Sequence, residues 1–67
     1  MIEIILNGSP KQCSPGLSVS ALLEAEGLAG KRVAVERNGE IVPKSLHAAT
    51  RIEAGDCLEI VVAVGGG

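Results

Sequence analysis

The dipeptide Asn-Gly occurs twice, at Asn7-Gly8 and Asn38-Gly39, and each copy separates short runs rich in β-branched residues. A two-residue type I′ turn needs positive φ at both central positions, which Asn and Gly tolerate best, so each copy predicts a tight β-hairpin. In the first, "IEIIL" puts Ile2, Ile4 and Leu6 on one face and Glu3 and Ile5 on the other, with the return strand expected over residues 10–14. In the second, Val33 and Val35 share a face and the chain returns through Ile41 and Val42. Pro43 has no amide to give a ladder, so that return strand is expected to be short or at an edge.

Between the hairpins lies the one convincing helical segment, "SVSALLEAEG". Ser18 is placed to cap its N-terminus, Val19, Leu22 and Leu23 recur at helical spacing, and Gly27 stops it. Leu28 then falls where a Schellman turn folds it back onto Leu23. After "SLHAATRI", expected to be a loop with at most one helical turn, comes a final strand, "CLEIVVAV". Leu58, Ile60, Val62 and Val64 share one face of it, and Cys57, Glu59, Val61 and Ala63 the other. Val61 and Ala63 are apolar where a half-covered strand usually turns polar, which predicts a central strand covered on both faces. The order predicts an α+β domain, a mixed sheet of four to five strands gripping one helix. If the first and last strands are neighbours, the crossover between them makes them parallel, which is the β-grasp topology.

Composition narrows the function. A chain of 67 residues is one domain, too small for a catalytic cleft. It has no aromatic residue on which bases could stack, and a net charge of −2 removes the attraction to phosphates, so nucleic acid is not an expected partner. Two cysteines, Cys13 and Cys57, and one histidine, His47, are too few for a Cys-built zinc or iron–sulfur site, and no metal is expected. The thiols read as small, partly buried fillers, and His47 as an exposed loop residue. The opening "MIEIIL" has no basic region or signal-length apolar run, and the longest apolar stretch is far short of a membrane span. A soluble, cytoplasmic chain, monomeric when free, is expected.

The remaining feature is the end, "VVAVGGG". Residues 1–64 read as the folded domain and residues 65–67 as a flexible tail. Gly65, Gly66 and Gly67 have no side chain, so the reactive group they carry is the terminal carboxylate, on the narrowest tether a polypeptide can make. A glycine-rich terminus alone is often only a frayed end. Nor do these glycines read as a phosphate loop, because no helix follows them.

Together, "IEIILNG", "VAVERNGEIVPKS", "GDCLEIVVAVGGG" and the Gly-Gly end resemble ThiS, the family of ubiquitin-like sulfur carriers of thiamin biosynthesis, over essentially the whole chain. Such carriers often have an aromatic residue in or near the last strand, and this chain has none. The resemblance implies chemistry at the Gly67 carboxylate. A ThiF-like or MoeB-like enzyme would adenylate it with ATP, and a persulfide donor would supply sulfur to make a thiocarboxylate. Thiazole synthase would receive that sulfur. Gly65 and Gly66 would thread the partner's active site, and the carrier would be a co-substrate with no permanently bound cofactor. Alternatives are a carrier like the molybdopterin-synthase small subunit, a protein-conjugating ubiquitin-like modifier, or an inert interaction module. Ile5, Val61 and Ala63 form an apolar outward set, read either as part of a well-covered sheet or as a surface on which the activating enzyme docks.

Overall fold

The computed structural model describes residues 1–63. Five strands, β1 (Ile2–Leu6), β2 (Ser9–Cys13), β3 (Val33–Arg37), β4 (Glu40–Val42) and β5 (Cys57–Val62), form one sheet in the order β2-β1-β5-β3-β4. β1 and β5 are parallel and every other pairing is antiparallel. The single helix, α1 (Val19–Ala25), lies in the crossover from β2 to β3, and a 3₁₀ turn, Lys44–Leu46, follows β4. This is the β-grasp arrangement expected from the sequence.

Both Asn-Gly turns form as their chemistry demands. Asn7 and Asn38 have φ of 50° and 53°, and Gly8 and Gly39 have φ of 83° and 85°. The first turn is tight enough that β2 starts at Ser9, opposite Leu6, one residue before the expected start of the return strand at residue 10. Pro10 is tolerated inside β2 because that strand is an edge of the sheet. β4 is the other edge, and it ends at Val42, just before Pro43.

The helix is seven residues long, about two turns, and both ends are locally encoded. The Ser18 hydroxyl accepts from the Ala21 amide at 3.0 Å. At the other end Gly27, with φ of 76°, lets the Leu28 amide reach the Leu23 carbonyl at 2.8 Å and its own amide reach Glu24 at 3.0 Å. Those two bonds are the Schellman pair. Val19, Leu22 and Leu23 then meet Ile4, Val35, Leu58 and Ile60 from the sheet in one core cluster. Fully burying an aliphatic side chain of this kind contributes about 1.5–3 kcal/mol, which a chain without aromatic residues must gather from many Ile, Leu and Val positions.

Three expectations are corrected. β5 is central, but it is covered on one face only: Leu58 and Ile60 are buried while Cys57, Val61 and Ala63 are exposed. The domain has two layers, so a strand in the middle of the sheet order still presents its outer side chains away from the helix. Cys57, read as a partly buried filler, is therefore on the surface, whereas Cys13 is buried. His47, read as an exposed loop residue, is 7% exposed. Its Nε2 lies 3.0 Å from the Val42 carbonyl, so the ring donates there and ties the end of β4 to the segment after it. That segment also delivers Ile52 to the core, where the Ile52 amide bonds to the Leu17 carbonyl at 2.8 Å.

Candidate functional site at the end of the central strand

β5 is held at its start, middle and end by different parts of the chain. At its start, the Asp56 carboxylate accepts from Arg37 Nε at 2.7 Å, from the Glu53 amide at 2.9 Å and from Asn38 Nδ2 at 3.1 Å. Asn38 Oδ1 in turn accepts from the Cys57 amide at 2.9 Å. Burial would push the Asp56 carboxyl up, but the Glu53 amide, the Arg37 guanidinium and the Asn38 amide all favour its charged form and hold it below the usual carboxylate value. The hydrogen bond to Asp56 likewise raises the Arg37 guanidinium above its ordinary value, against the opposing effect of burial.

In the middle of β5, the parallel ladder with β1 covers only Ile5 opposite Cys57 and Leu6 opposite Leu58. Where β1 turns away, Asn7 continues the ladder: its amide bonds to the Leu58 carbonyl at 2.9 Å and its Oδ1 accepts from the Ile60 amide at 2.8 Å. Beyond Ile60, β5 is held by β3 on its other side, through Val61 opposite Ala34 and Val62 opposite Val33. The last described residue, Ala63, donates to the Arg32 carbonyl at 2.9 Å. The chain that follows thus leaves from a fixed point. Gly65, Gly66 and Gly67 lie outside the described residues.

The three outward apolar residues are not one patch. Val61 and Ala63 follow one another along the outer face at the tail end of β5, whereas Ile5 sits beside Cys57 at the opposite end, four positions from Val61. At about 3.3 Å per residue that is roughly 13 Å along the strand. Ile5 is half-buried, while Val61 is 63% exposed, as is Ile41 on the neighbouring hairpin at 62%. Ile41 was not singled out in the sequence. Its signal is its register, since Ile41 lies opposite Glu36 on the outer face.

An open cleft of about 490 Å³ between α1 and the approach to β3 is lined in part by Ser20, Glu24, Lys31, Lys44 and His47. The His47 Nε2 is already engaged by a carbonyl, so the ring acts there as a structural tie. Among the described residues no group of three or more His, Cys, Asp or Glu is placed to hold a metal ion. No helix among them is long and apolar enough to cross a membrane.

Comparison with known proteins agrees with this geometry. The profile of the ThiS family matches residues 4–67. The crystal structure of a thiamine biosynthesis protein (ThiS) from Geobacter metallireducens superposes with a TM-score of 0.84 at 33% identity, over 98% of this chain and all of that one. The chain is 46% identical over 66 residues to a thiazole synthase of Paramagnetospirillum magneticum, of which it spans only 20%. It is 39% identical to the uncharacterized protein ycf40 of Porphyra purpurea, spanning 93% of that protein. A match over nearly the whole sequence, joined to a whole-chain superposition, places the chain in the ThiS family of ubiquitin-like sulfur carriers.

Proposed function

We propose that the chain carries sulfur on the Gly67 carboxylate for assembly of the thiamin thiazole, acting as a co-substrate of other enzymes. The observation that supports this most is the anchoring of Ala63 to Arg32 at the end of a strand tied along its length, directly before a Val-Gly-Gly-Gly sequence. A rigid domain thereby offers its partners a defined root, and residues without side chains beyond it. The family match and the likeness of this chain to part of a thiazole synthase point the same way.

The chemistry follows from what a carboxylate cannot do. A resonance-stabilised anion resists attack, so it must first become a mixed anhydride. One carboxylate oxygen attacks the α-phosphorus of ATP on a ThiF-like or MoeB-like enzyme, releasing pyrophosphate and leaving an acyl adenylate. The terminal sulfur of a donor persulfide then attacks the carbonyl carbon and AMP departs. A second thiol attacks the donor's own sulfur, forming a disulfide and releasing the thiocarboxylate. Thiazole synthase takes that sulfur. The carrier's residues supply position: β5 sets the root, and Gly65 and Gly66 pass where any Cβ would obstruct.

ATP–pyrophosphate exchange with the adenylating enzyme tests the reading. The native chain should support exchange, whereas removal of Gly67, or addition of one residue after it, should abolish exchange while leaving the fold intact. Exchange by the extended chain would exclude the terminal carboxylate as the reacting group.

A further inference from the structure

The open cleft of about 490 Å³ beside α1 contains a buried histidine with one ring nitrogen to spare. His47 is 7% exposed, and its backbone carbonyl accepts from the Ser20 amide at 3.0 Å. Its Nε2 lies 3.0 Å from the Val42 carbonyl, which can only accept, so Nε2 carries the hydrogen. In the neutral ring Nδ1 is then a bare acceptor, and no group among the described residues donates to it. Yet among the described residues no buried side-chain nitrogen or oxygen is left without a partner. Nδ1 is therefore open to the cleft that His47 lines.

The same cleft collects positive charge on an acidic chain. The net charge is −2, yet Lys31, Arg32 and Lys44, three of the six lysines and arginines, line it. The ion pairs among the described residues, Lys11 with Glu26 and Arg37 with Glu53 and Asp56, use none of the three. Glu24 is the one carboxylate in the lining, and Leu23, Leu28 and Val33 supply an aliphatic wall. A cleft of this volume, part apolar with a few convergent polar groups, is of the kind that takes a small molecule. We propose that it binds a small phosphate monoester whose body carries a hydroxyl group, with the phosphate among Lys31, Arg32 and Lys44 and the hydroxyl donating to His47 Nδ1. Ammonium and guanidinium groups make charge-assisted hydrogen bonds to phosphate oxygens, whereas a neutral Nδ1 takes only a donor. A bare anion would leave Nδ1 without a partner, and a neutral polyol would leave the cations without one. Glu24 offers a second acceptor for the ligand's hydroxyls. Arg32 also roots the tail, because its carbonyl accepts from the Ala63 amide at 2.9 Å, so the occupant is felt at the end of β5. This binding site goes beyond the carrier reading and stands without it.

NMR titrations of the isotope-labelled chain with ribose 5-phosphate, with ribose and with inorganic phosphate, at constant pH and ionic strength, test this. Ribose 5-phosphate should shift the amides of residues 29–32 and of Ala63 saturably, and should move the His47 Nδ1 resonance away from that of a bare acceptor nitrogen. Its Kd should lie about tenfold below those of ribose and of inorganic phosphate. Lys31→Gln and Lys44→Gln should each raise that Kd about tenfold, whereas Lys11→Gln on β2 should leave it within about twofold. His47→Gln retains an amide donor for the Val42 carbonyl and removes Nδ1, so it should bring the Kd for ribose 5-phosphate up to that for inorganic phosphate. Where His47→Gln does not fold, the wild-type Nδ1 resonance decides, and amide shifts that saturate while Nδ1 stays still would overturn the proposal. Equal affinity for inorganic phosphate and ribose 5-phosphate would also overturn it, as would an equal loss in Lys11→Gln or the absence of saturable shifts at millimolar ligand. A short polyglutamate peptide that shifts the same amides at lower concentration than ribose 5-phosphate would assign the cleft to an acidic protein segment instead.

Discussion

Asn7 Oδ1 accepts a hydrogen bond from the Ile60 amide at 2.8 Å, linking the first turn of the chain to its last strand. The residue that makes the turn possible also extends the β1–β5 ladder past the point where β1 ends. Asn38 does the same from the other hairpin through the Cys57 amide. The repeated Asn-Gly dipeptide therefore serves twice, once for backbone conformation and once to grip the strand that carries the tail.

Asn7→Gly keeps the permissive backbone and removes the side-chain bond, so it should cost about 1 kcal/mol in urea unfolding. Asn7→Ala also places a β-carbon at φ of 50°, and should cost about 1 kcal/mol more. In both variants the Ile60 amide should exchange faster with solvent than in wild type. Unchanged exchange at Ile60 would mean that the bond does not hold β5.

The Asp56 cluster predicts how the domain responds to acid. Its carboxyl is held below the ordinary value of 3.8, so the stabilisation it contributes is present above about pH 4 and is lost as pH falls through the lowered native value. Asp56→Asn removes the charge that Arg37 faces at 2.7 Å and should cost on the order of 2–4 kcal/mol near neutral pH. Below pH 4 the variant's stability should fall less steeply than that of wild type. Equal slopes in an acid titration of unfolding would assign the acid sensitivity to other groups.

Much of the fold was legible because its signals are local. The type I′ turns, the Ser18 cap and the Gly27–Leu28 stop each depend on a few adjacent residues, and all form as read. The misreadings depend on what lies across space. His47 sits in a stretch with no periodicity, and it is buried because that stretch bonds back to the start of α1 through Val19, Ser20 and Leu17. Cys57 and Val61 alternate correctly along β5, but alternation does not say whether a second layer covers their face. The separation of Ile5 from Val61 required the register of a parallel pair, and no turn fixes register where strands join through a long crossover.

The two thiols offer a further check, since a cysteine is the obvious competing sulfur carrier. Cys13 is buried in the core cluster and Cys57 is exposed, and on the function proposed above neither thiol takes part in forming the thiocarboxylate. Cys57→Ser should leave stability within about 0.5 kcal/mol of wild type, whereas Cys13→Ser should cost about 1–3 kcal/mol by placing a hydroxyl among aliphatic groups. The double variant, once shown to be folded by circular dichroism, should still accept sulfur at its terminus. Loss of loading in that folded variant would move the cargo to a side chain.

The central claim is that sulfur resides on the terminal carboxylate. Intact mass spectrometry of the chain, incubated with ATP, the adenylating enzyme and a persulfide donor, reads this directly, with peptide fragmentation to locate the change. The account predicts a species in which one oxygen is replaced by sulfur, confined to the fragment holding Gly67 and absent when ATP is omitted. Sulfur found on the fragment of Cys13 or Cys57 with an unmodified terminus, or loading that proceeds without ATP, would contradict it.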